Sequence, residues 1–269
     1  MSLRPYRALL SARLRTLLQY RTAALAGIAT QLFFGLVRMM IFDAFFRAAG
    51  AAGLGGQPMT WTQVNTYIWL GQAFLLLTMA FNDLEIAALV RSGGVVYELV
   101  KPADLYALWF SRALSGRLAP LLMRSVPILL IAGFFFGLTP PVSGAAALLF
   151  AASIALSLAL ASAIMVLIST TLFWTLSGEG VSRLVPHLIF MLSGMILPLP
   201  LFPDVLQPAL AVLPFRGLID APFRIWIGDL AGARALAALA HQAAWTLAFI
   251  LAGRFLLSRG LRRLEAQGG

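Results

Sequence analysis

The 269-residue chain is 61% hydrophobic and 11% charged, with a mean hydropathy of +0.90, whereas a soluble domain has about 25% charged residues. Its 20 basic residues give a net charge of +10 but form no stripe interleaved with aromatic residues, which argues against a nucleic-acid partner. The absence of cysteine excludes disulfides and thiolate metal sites.

Apolar runs of about 20 residues dominate the chain, and this is the length that a helix needs to cross the hydrocarbon core of a membrane. They show no alternation with a period of two, so we expect helices and not the strands of a barrel. Six runs are predicted to span the membrane, at 23–46, 62–82, 118–138, 144–174, 186–201 and 234–257. We therefore predict an all-α integral membrane protein with one transmembrane domain over residues 1–269.

The segment before the first span, residues 1–22, has the pattern of an amphipathic helix. Its apolar residues share one face: Leu3, Tyr6, Leu10, Leu14 and Leu17. Basic and polar residues occupy the other face, which is typical of a helix that lies on anionic lipid. The alternative is a basic flank that only orients the first span. The run after Arg21 is too long for the core of a cleavable signal.

Basic residues are distributed unequally between the loops. With the N-terminus inside, the inner set is Arg4, Arg7, Arg13, Arg15, Arg21, Arg91, Lys101, Arg112, Arg117, Arg183, Arg254, Arg259, Arg262 and Arg263. The outer set is Arg47, Arg216, Arg224 and Arg234. Because cytoplasmic loops carry the excess of Lys and Arg, we predict that both termini are cytoplasmic.

The cytoplasmic segment 83–117 mixes acids and bases with Val, Leu and aromatic residues. A segment that served only as a connection would be shorter and more polar. We therefore favour a folded surface for an intracellular partner over a simple connection.

On the outer side, six of the 14 prolines fall within 25 residues: Pro198, Pro200, Pro203, Pro208, Pro214 and Pro222. Proline breaks helices, yet this stretch is too apolar to extend into water. Irregular backbone is tolerated at membrane depth only where protein or a water-filled cavity covers it. We predict short re-entrant helices over residues 198–230 that rest on the remainder of the protein.

Charged residues inside spans are costly and therefore informative. Arg38 and Asp43 share the first span, near enough along it for their side chains to meet at the outer interface. Such a polar contact would line a pathway or a dimer seam. The alternative is that both extend toward the outer headgroups beside Arg47. Arg124 is expected to extend to the inner face.

Nucleotide and metal sites are not apparent in the sequence. A loop that binds ATP ends in Lys and Ser or Thr, but the only lysine, Lys101, is followed by Pro102. His187 and His241 lie in different predicted spans with no acid beside either, which argues against a metal site.

Two other functional classes, an intramembrane protease and a secondary transporter, can each be judged from a few residues. Ser193-Gly194 and His241 could form an intramembrane serine protease, but Met191 stands where the first glycine of the usual motif belongs. A stand-alone secondary transporter would need a site for its coupling ion, yet Asp43 is the only acid well within a span. Both alternatives are therefore disfavoured.

Two strings carry a resemblance to a known family. The cytoplasmic string IAALVRSGGVVYELVKPADLYALWFSRALSG is similar to the pattern R-S-G-x-x-x-Y-E-L-x-x-P-x-D followed by an aromatic-rich helix. The outer string SGMILPLPLFPDVLQPALAVLPFRGLIDAPFRIWIG is similar to S-G-x-x-x-P-L-x-x-F-P and L-P-F-x-x-x-x-x-x-P. Together with the order of the predicted elements, they make the chain resemble the permease subunit of type-2 ABC exporters, the bacterial ABC-2 family transporter permeases.

The resemblance implies an ATP-driven exporter in the bacterial cytoplasmic membrane. This chain would pair with a second permease, identical or homologous, and with two separate ATPase subunits that bind ATP and Mg. It would bind no cofactor and catalyse no reaction itself. The helix that couples it to the ATPase would correspond to Arg91, Ser92, Gly93, Tyr97, Glu98, Leu99, Pro102 and Asp104. Of these, Arg91 and Glu98 are expected to contact the ATPase, with Tyr97 and Leu99 packing into its groove.

The resemblance also implies a translocation path between the two permeases, along the second and fifth spans. The matching positions are Tyr67, Gln72, Phe74, Phe190, Ser193 and Met195, although ordinary helix packing is an alternative for the aromatic ones. The outer gate would contain Pro198, Pro203, Pro214 and Phe215. An apolar and aromatic path suits lipids, drugs, peptides or pigments equally.

Overall fold

The computed structural model describes residues 4–17, 19, 21–51, 58–79, 83–175 and 179–265, and within these ranges helices are the only regular secondary structure. In chain order they are α1 (Arg4–Leu17), α2 (Arg21–Ala51), α3 (Trp61–Ala73), α4 (Leu84–Arg91), α5 (Val95–Leu99), α6 (Leu105–Phe135), α7 (Gly144–Thr170), α8 (Glu179–Leu192), α9 (Gln207–Val212), α10 (Asp220–Trp226) and α11 (Ala233–Glu265). Short 3-10 turns lie at Leu75–Leu77, Thr171–Phe173, Leu199–Leu201 and Pro214–Gly217. The predicted all-α class is confirmed.

In the part of the chain that the structure describes, four helical stretches are long and apolar enough to cross a membrane: Ala24–Gly50, Leu105–Phe135, Gly144–Phe173 and Ala233–Arg263. They coincide with four of the six predicted spans. The other two, 62–82 and 186–201, are not confirmed, because α3 ends at Ala73 and α8 ends at Leu192. The apolar run in α3 has a different cause, since Val64 to Ala73 are all buried within the protein.

α6 begins at Leu105, whereas residues 105–117 were predicted to belong to the cytoplasmic segment. The reason is a cap: the Asp104 carboxylate accepts a hydrogen bond from the backbone N–H of Ala107 at 2.7 Å. Asp83 caps α4 in the same way, accepting from the backbone N–H of Glu85 at 2.9 Å. The part that folds separately from α6 is therefore residues 83–104, which we continue to call the cytoplasmic segment after its predicted location.

The main hydrophobic core surrounds α3. Tyr67 and Trp69 of this helix and Phe223 of α10 are among the largest fully buried side chains. The Trp69 ring stacks on Phe136, with 4.7 Å between ring centroids. α2 and α6 flank α3, while α7 packs along α10 and α11. Long apolar side chains on the outer faces of α2, α6 and α11 are exposed, as expected for surfaces that meet lipid.

A second, smaller core fixes the cytoplasmic segment. Ile86 of α4 and Val95 of α5 pack with Trp109 of α6 and Leu257 of α11. α1 lies beside α6, and its Tyr6 hydroxyl accepts a hydrogen bond from the backbone N–H of Asp104 at 2.9 Å. The N-terminal helix is thus attached to the protein, and its position on the lipid surface stays a prediction.

Candidate functional site

The cytoplasmic segment turns sharply between α4 and α5. Gly93 has φ +71°, a backbone conformation that residues with a side chain rarely adopt, so glycine is required there. The backbone N–H of Gly94 donates to the Ser92 hydroxyl at 3.3 Å and closes the turn. The turn places α5 with one side against α6 and the other side at the protein surface.

Glu98 occupies the inner side of α5. Its side chain accepts hydrogen bonds from the indole N–H of Trp109 at 2.7 Å and from the Arg112 guanidinium at 2.8 Å. Lys101 lies 3.6 Å from the same carboxylate, and Glu98 is only 4% exposed. Because its oxygens are bound inside the chain, Glu98 could contact an ATPase directly only if these bonds opened, and that contact stays a prediction.

The solvent-exposed side of α5, together with the residue after α5, carries four exposed apolar side chains: Val96, Tyr97, Leu99 and Val100. We call them the coupling tip after the role predicted for this segment. Tyr97 and Val100 are each 80% exposed. Contiguous exposed apolar side chains of this kind mark interaction surfaces. Among the predicted coupling residues, those that are also exposed are Arg91, Ser92 and Pro102. Asp104 is half-buried and pairs with Arg254 at 2.9 Å.

Most of the predicted path residues lie inside the chain and do not line a surface. Tyr67, Gln72, Phe74, Ser193 and Met195 are all buried. The ring of Phe74 packs edge-on against Phe150, with 5.5 Å between ring centroids. Phe190, 36% exposed on α8, is the remaining member. Tyr67 in α3 and Phe74 directly after α3 are therefore packed in the core of this chain, and their place in a translocation path stays a prediction.

The two intramembrane charges do not meet each other. Arg38 donates to the carbonyl oxygen of Ile196 at 2.9 Å and also to that of Met195. Asp43 instead pairs with Arg47 at 2.8 Å, one helical turn away. Arg38 therefore fastens α2 to the backbone after α8, and the predicted Arg38–Asp43 contact is wrong. Its partner lies far along the chain, where sequence spacing gives no signal.

The segment predicted to lie on the outer side consists of short helical pieces, and we call residues 198–230 the outer lid after this predicted location and role. Among the predicted gate residues, Pro198 and Pro214 are buried, Phe215 is half-buried and Pro203 is exposed. The Gln242 side chain on α11 donates to the carbonyl oxygen of Gly217 at 2.7 Å.

Gln242 also bonds to α7. Ser153 donates to its amide oxygen at 2.9 Å, and Ser157 donates to the same Gly217 carbonyl at 2.8 Å. These side chains are fully buried, so the network fixes the lid to two long helices. Gln242 was not among the predicted site residues, although a polar amide side chain within an apolar predicted span indicates a buried hydrogen-bonded contact.

Asp220 is a fully buried carboxylate in the lid. Arg224 lies 3.4 Å from it and also 2.5 Å from Asp229. The Tyr67 hydroxyl donates to Asp220 at 3.4 Å, so the lid is bonded to α3. Burial raises the pKa of the Asp220 carboxyl above its ordinary value, and the charges of Arg224 and Arg216 partly oppose this. The i,i+4 spacing of Asp220 and Arg224 was a sequence signal for the ion pair.

The residues of the disfavoured protease do not form a catalytic pair. His241 accepts a hydrogen bond from the indole N–H of Trp245 at 3.1 Å and lies 3.1 Å from the Val212 carbonyl oxygen. The Ser193 hydroxyl is buried and has no hydrogen-bond partner among the described residues. Across those same residues, no group of three or more His, Asp or Glu side chains could hold a metal ion.

Comparison with known proteins gives one family match. A family model described as "ABC-2 family transporter protein" matches residues 32–268. The matched range includes the coupling tip, all of α3 and the outer lid. No curated protein matches the chain.

Proposed function

The chain belongs to the ABC-2 family of transporter proteins and is a multi-pass membrane protein, and on this premise we propose that it is the permease subunit of an ATP-driven exporter. It pairs with a second permease, identical or homologous. Two separate ATPase subunits bind ATP and Mg and supply the energy. Both termini and the segment 83–104 lie on the cytoplasmic side of a bacterial cytoplasmic membrane, in accordance with the charge of the loops.

The observation that carries this proposal is the two-sided construction of α5. Its exposed side is the apolar coupling tip, while Val95 and Glu98 on its inner side are buried against α6. ATP is hydrolysed outside the membrane, so its work must enter through a folded cytoplasmic element. A force on Tyr97 would be transmitted through Glu98 to Trp109 and Arg112, and so along α6.

The translocation path and its outer gate form the second part of the proposal. We place the path along the exposed apolar face of α8: Leu184, Leu188, Phe190 and Met191. Ile189 of α8 belongs to the same buried core as the residues of α3. The outer lid closes the path and is held by Gln242 and by Asp220, while Arg38 holds the backbone just before it. A site that opens to each side in turn then requires the lid and the coupling tip to move in concert.

A cross-linking experiment tests the proposal. Because the chain has no cysteine, a single Tyr97→Cys substitution places one cross-linker on the coupling tip. The matched control is Val205→Cys, an 88% exposed apolar position in the outer lid. With the co-expressed ATPase in native membranes, we expect a cross-link from position 97 and none from position 205. Equal cross-linking, or none from position 97 while the ATPase co-purifies, would place the coupling surface elsewhere.

A further inference from the structure

A cavity of about 220 Å³ lies where α1, the 3-10 turn after α3 and the first part of α6 meet. Three arginines and one acid line it: Arg13, Arg112, Arg117 and Asp83. We propose that this cavity binds a phosphate group, carried either by an anionic lipid headgroup or by free phosphate.

Unused hydrogen-bond donors are the first support. Arg112 and Arg117 are only 8% and 7% exposed. Among the described residues, Nε and Nη1 of Arg112 and Nε of Arg117 have no hydrogen-bond acceptor. Nη2 of Arg117 donates to the Met79 carbonyl at 2.9 Å, and its Nη1 contacts only the weakly accepting sulfur of Met165. Buried donors without acceptors are costly, so a ligand with several oxygens would stabilise this arrangement.

Charge is the second support. The lining carries three positive groups and one negative group, a net charge of +2. Glu85 pairs with Arg13 and lies 3.8 Å from Nη1 of Arg112, while Glu98 pairs with Arg112 and Lys101. With these groups included, four positive and three negative charges remain, a net charge of +1. Within the described ranges Arg117 forms no ion pair with a carboxylate. The guanidinium fork matches phosphate oxygens in geometry as well as charge.

Position is the third support. Gly116 is exposed at the mouth of the cavity, and a Cβ atom added there would meet nothing within 4 Å. The candidate span Leu105–Phe135 has 31 residues, about ten more than the hydrocarbon core requires, so its first turns reach the headgroup region. The predicted topology places this end on the cytoplasmic side, where anionic headgroups attract basic residues.

Binding to the purified, delipidated full-length chain tests the inference, and because no ATPase is present the result does not depend on the proposed function. The ligands are short-chain phosphatidylglycerol, the matching diacylglycerol without phosphate, and inorganic phosphate. We expect wild type to prefer phosphatidylglycerol over diacylglycerol. Protection by inorganic phosphate with no lipid preference would support the cavity with free phosphate as the source. No preference for any phosphate-bearing ligand would overturn the proposal.

Two variants and one control locate the binding. Arg117→Gln removes one charge, and Gly116→Phe fills the mouth while keeping every charge. Arg117→Gln should weaken binding of the phosphate-bearing ligand about tenfold, the loss expected for one charge-assisted hydrogen bond. Gly116→Phe should weaken binding at least as much, because the ring blocks entry of the ligand. The control is Arg259→Gln, a cytoplasmic-side arginine that stacks on Phe255 outside the cavity and should bind like wild type. If Gly116→Phe, which leaves the buried arginines intact, binds like wild type, the cavity is not the site.

Discussion

Glu98 accepts a hydrogen bond from the indole N–H of Trp109 at 2.7 Å, and this bond joins α5 to the early turns of α6. Both side chains are buried, so the bond is shielded from water. The string around residue 98 that carries the family resemblance therefore contains two kinds of residue. Glu98 positions the coupling tip, while its neighbour Tyr97 is available to a partner.

Replacement of Glu98 by Lys should destabilise the chain by roughly 3–5 kcal/mol, because it places a cation beside the buried Arg112 and removes the carboxylate that accepts a hydrogen bond from that guanidinium. The measurement is thermal unfolding of the purified protein in detergent. Glu98→Gln is the control, since its amide oxygen can still accept from Trp109, and it should lose less. A Glu98→Lys protein that unfolds at the wild-type temperature would contradict the assigned role.

Truncation of Tyr97 should leave stability nearly unchanged but weaken coupling to the ATPase. Tyr97→Ala removes an 80% exposed side chain, so stability should change by no more than about 0.5 kcal/mol. Co-purification of the ATPase and stimulated ATP hydrolysis should both decrease, because the tip loses its largest contact. Val205→Ala, on the outer lid, should leave both unchanged. Wild-type coupling in Tyr97→Ala would show that this side chain does not contribute to the interface.

Loss of the Arg38 guanidinium should loosen the backbone after α8. Arg38→Met removes hydrogen bonds to two carbonyl groups, at a cost of about 1.5–3 kcal/mol for each charge-assisted bond. A cysteine at position 196 should then react faster with an external thiol reagent. Asp43→Asn breaks only the one-turn pair with Arg47 and should cost less than about 1 kcal/mol. Equal effects of the two substitutions would contradict the anchoring role of Arg38.

Gly194 should tolerate no side chain. Its φ is +91°, and a Cβ atom there would overlap the hydroxyl of Tyr67. Gly232 is a matched control, because its φ is +55° and an added Cβ would meet nothing within 4 Å. Gly232→Ala should cost about 1 kcal/mol for the backbone conformation alone. Gly194→Ala should lower the unfolding temperature clearly further, and equal values for the two variants would refute the close packing of Tyr67.

The pH dependence of stability should report on Asp220. Burial raises the pKa of its carboxyl above the ordinary 3.8, so the folded state binds this proton more readily than the unfolded state. The contribution to stability is then complete below pH 3.8 and is lost as the pH rises through the folded pKa.

The experiment compares the unfolding temperatures of wild type and Asp220→Asn over the pH range from below 3.8 to above the folded pKa of Asp220. Wild type should lose stability relative to the variant as the pH rises, because Asn has no proton to release. Subtraction of the two curves removes the titration of other groups. A difference that stays constant, or that favours wild type at higher pH, would contradict the raised pKa.

Several features could be predicted from the sequence because they depend on composition and local chemistry. The length and hydropathy of the runs at 23–46, 118–138, 144–174 and 234–257 were sufficient for four long apolar helices. The two motif-bearing strings were sufficient for the family. The prolines between 198 and 222 indicated broken helices, and the structure has only short ones there.

Tertiary structure decided where the remaining apolar runs and the charged side chains lie. Hydropathy measures how unfavourable water is for a segment, but it does not say whether lipid or protein replaces that water, so α3 resembled a lipid-facing span although its residues are buried. The inward turn of Glu98, the partner of Arg38 and the cavity around Arg117 likewise depend on contacts between distant parts of the chain. Those contacts arise only when the helices pack, because packing fixes which donor lies within reach of which acceptor.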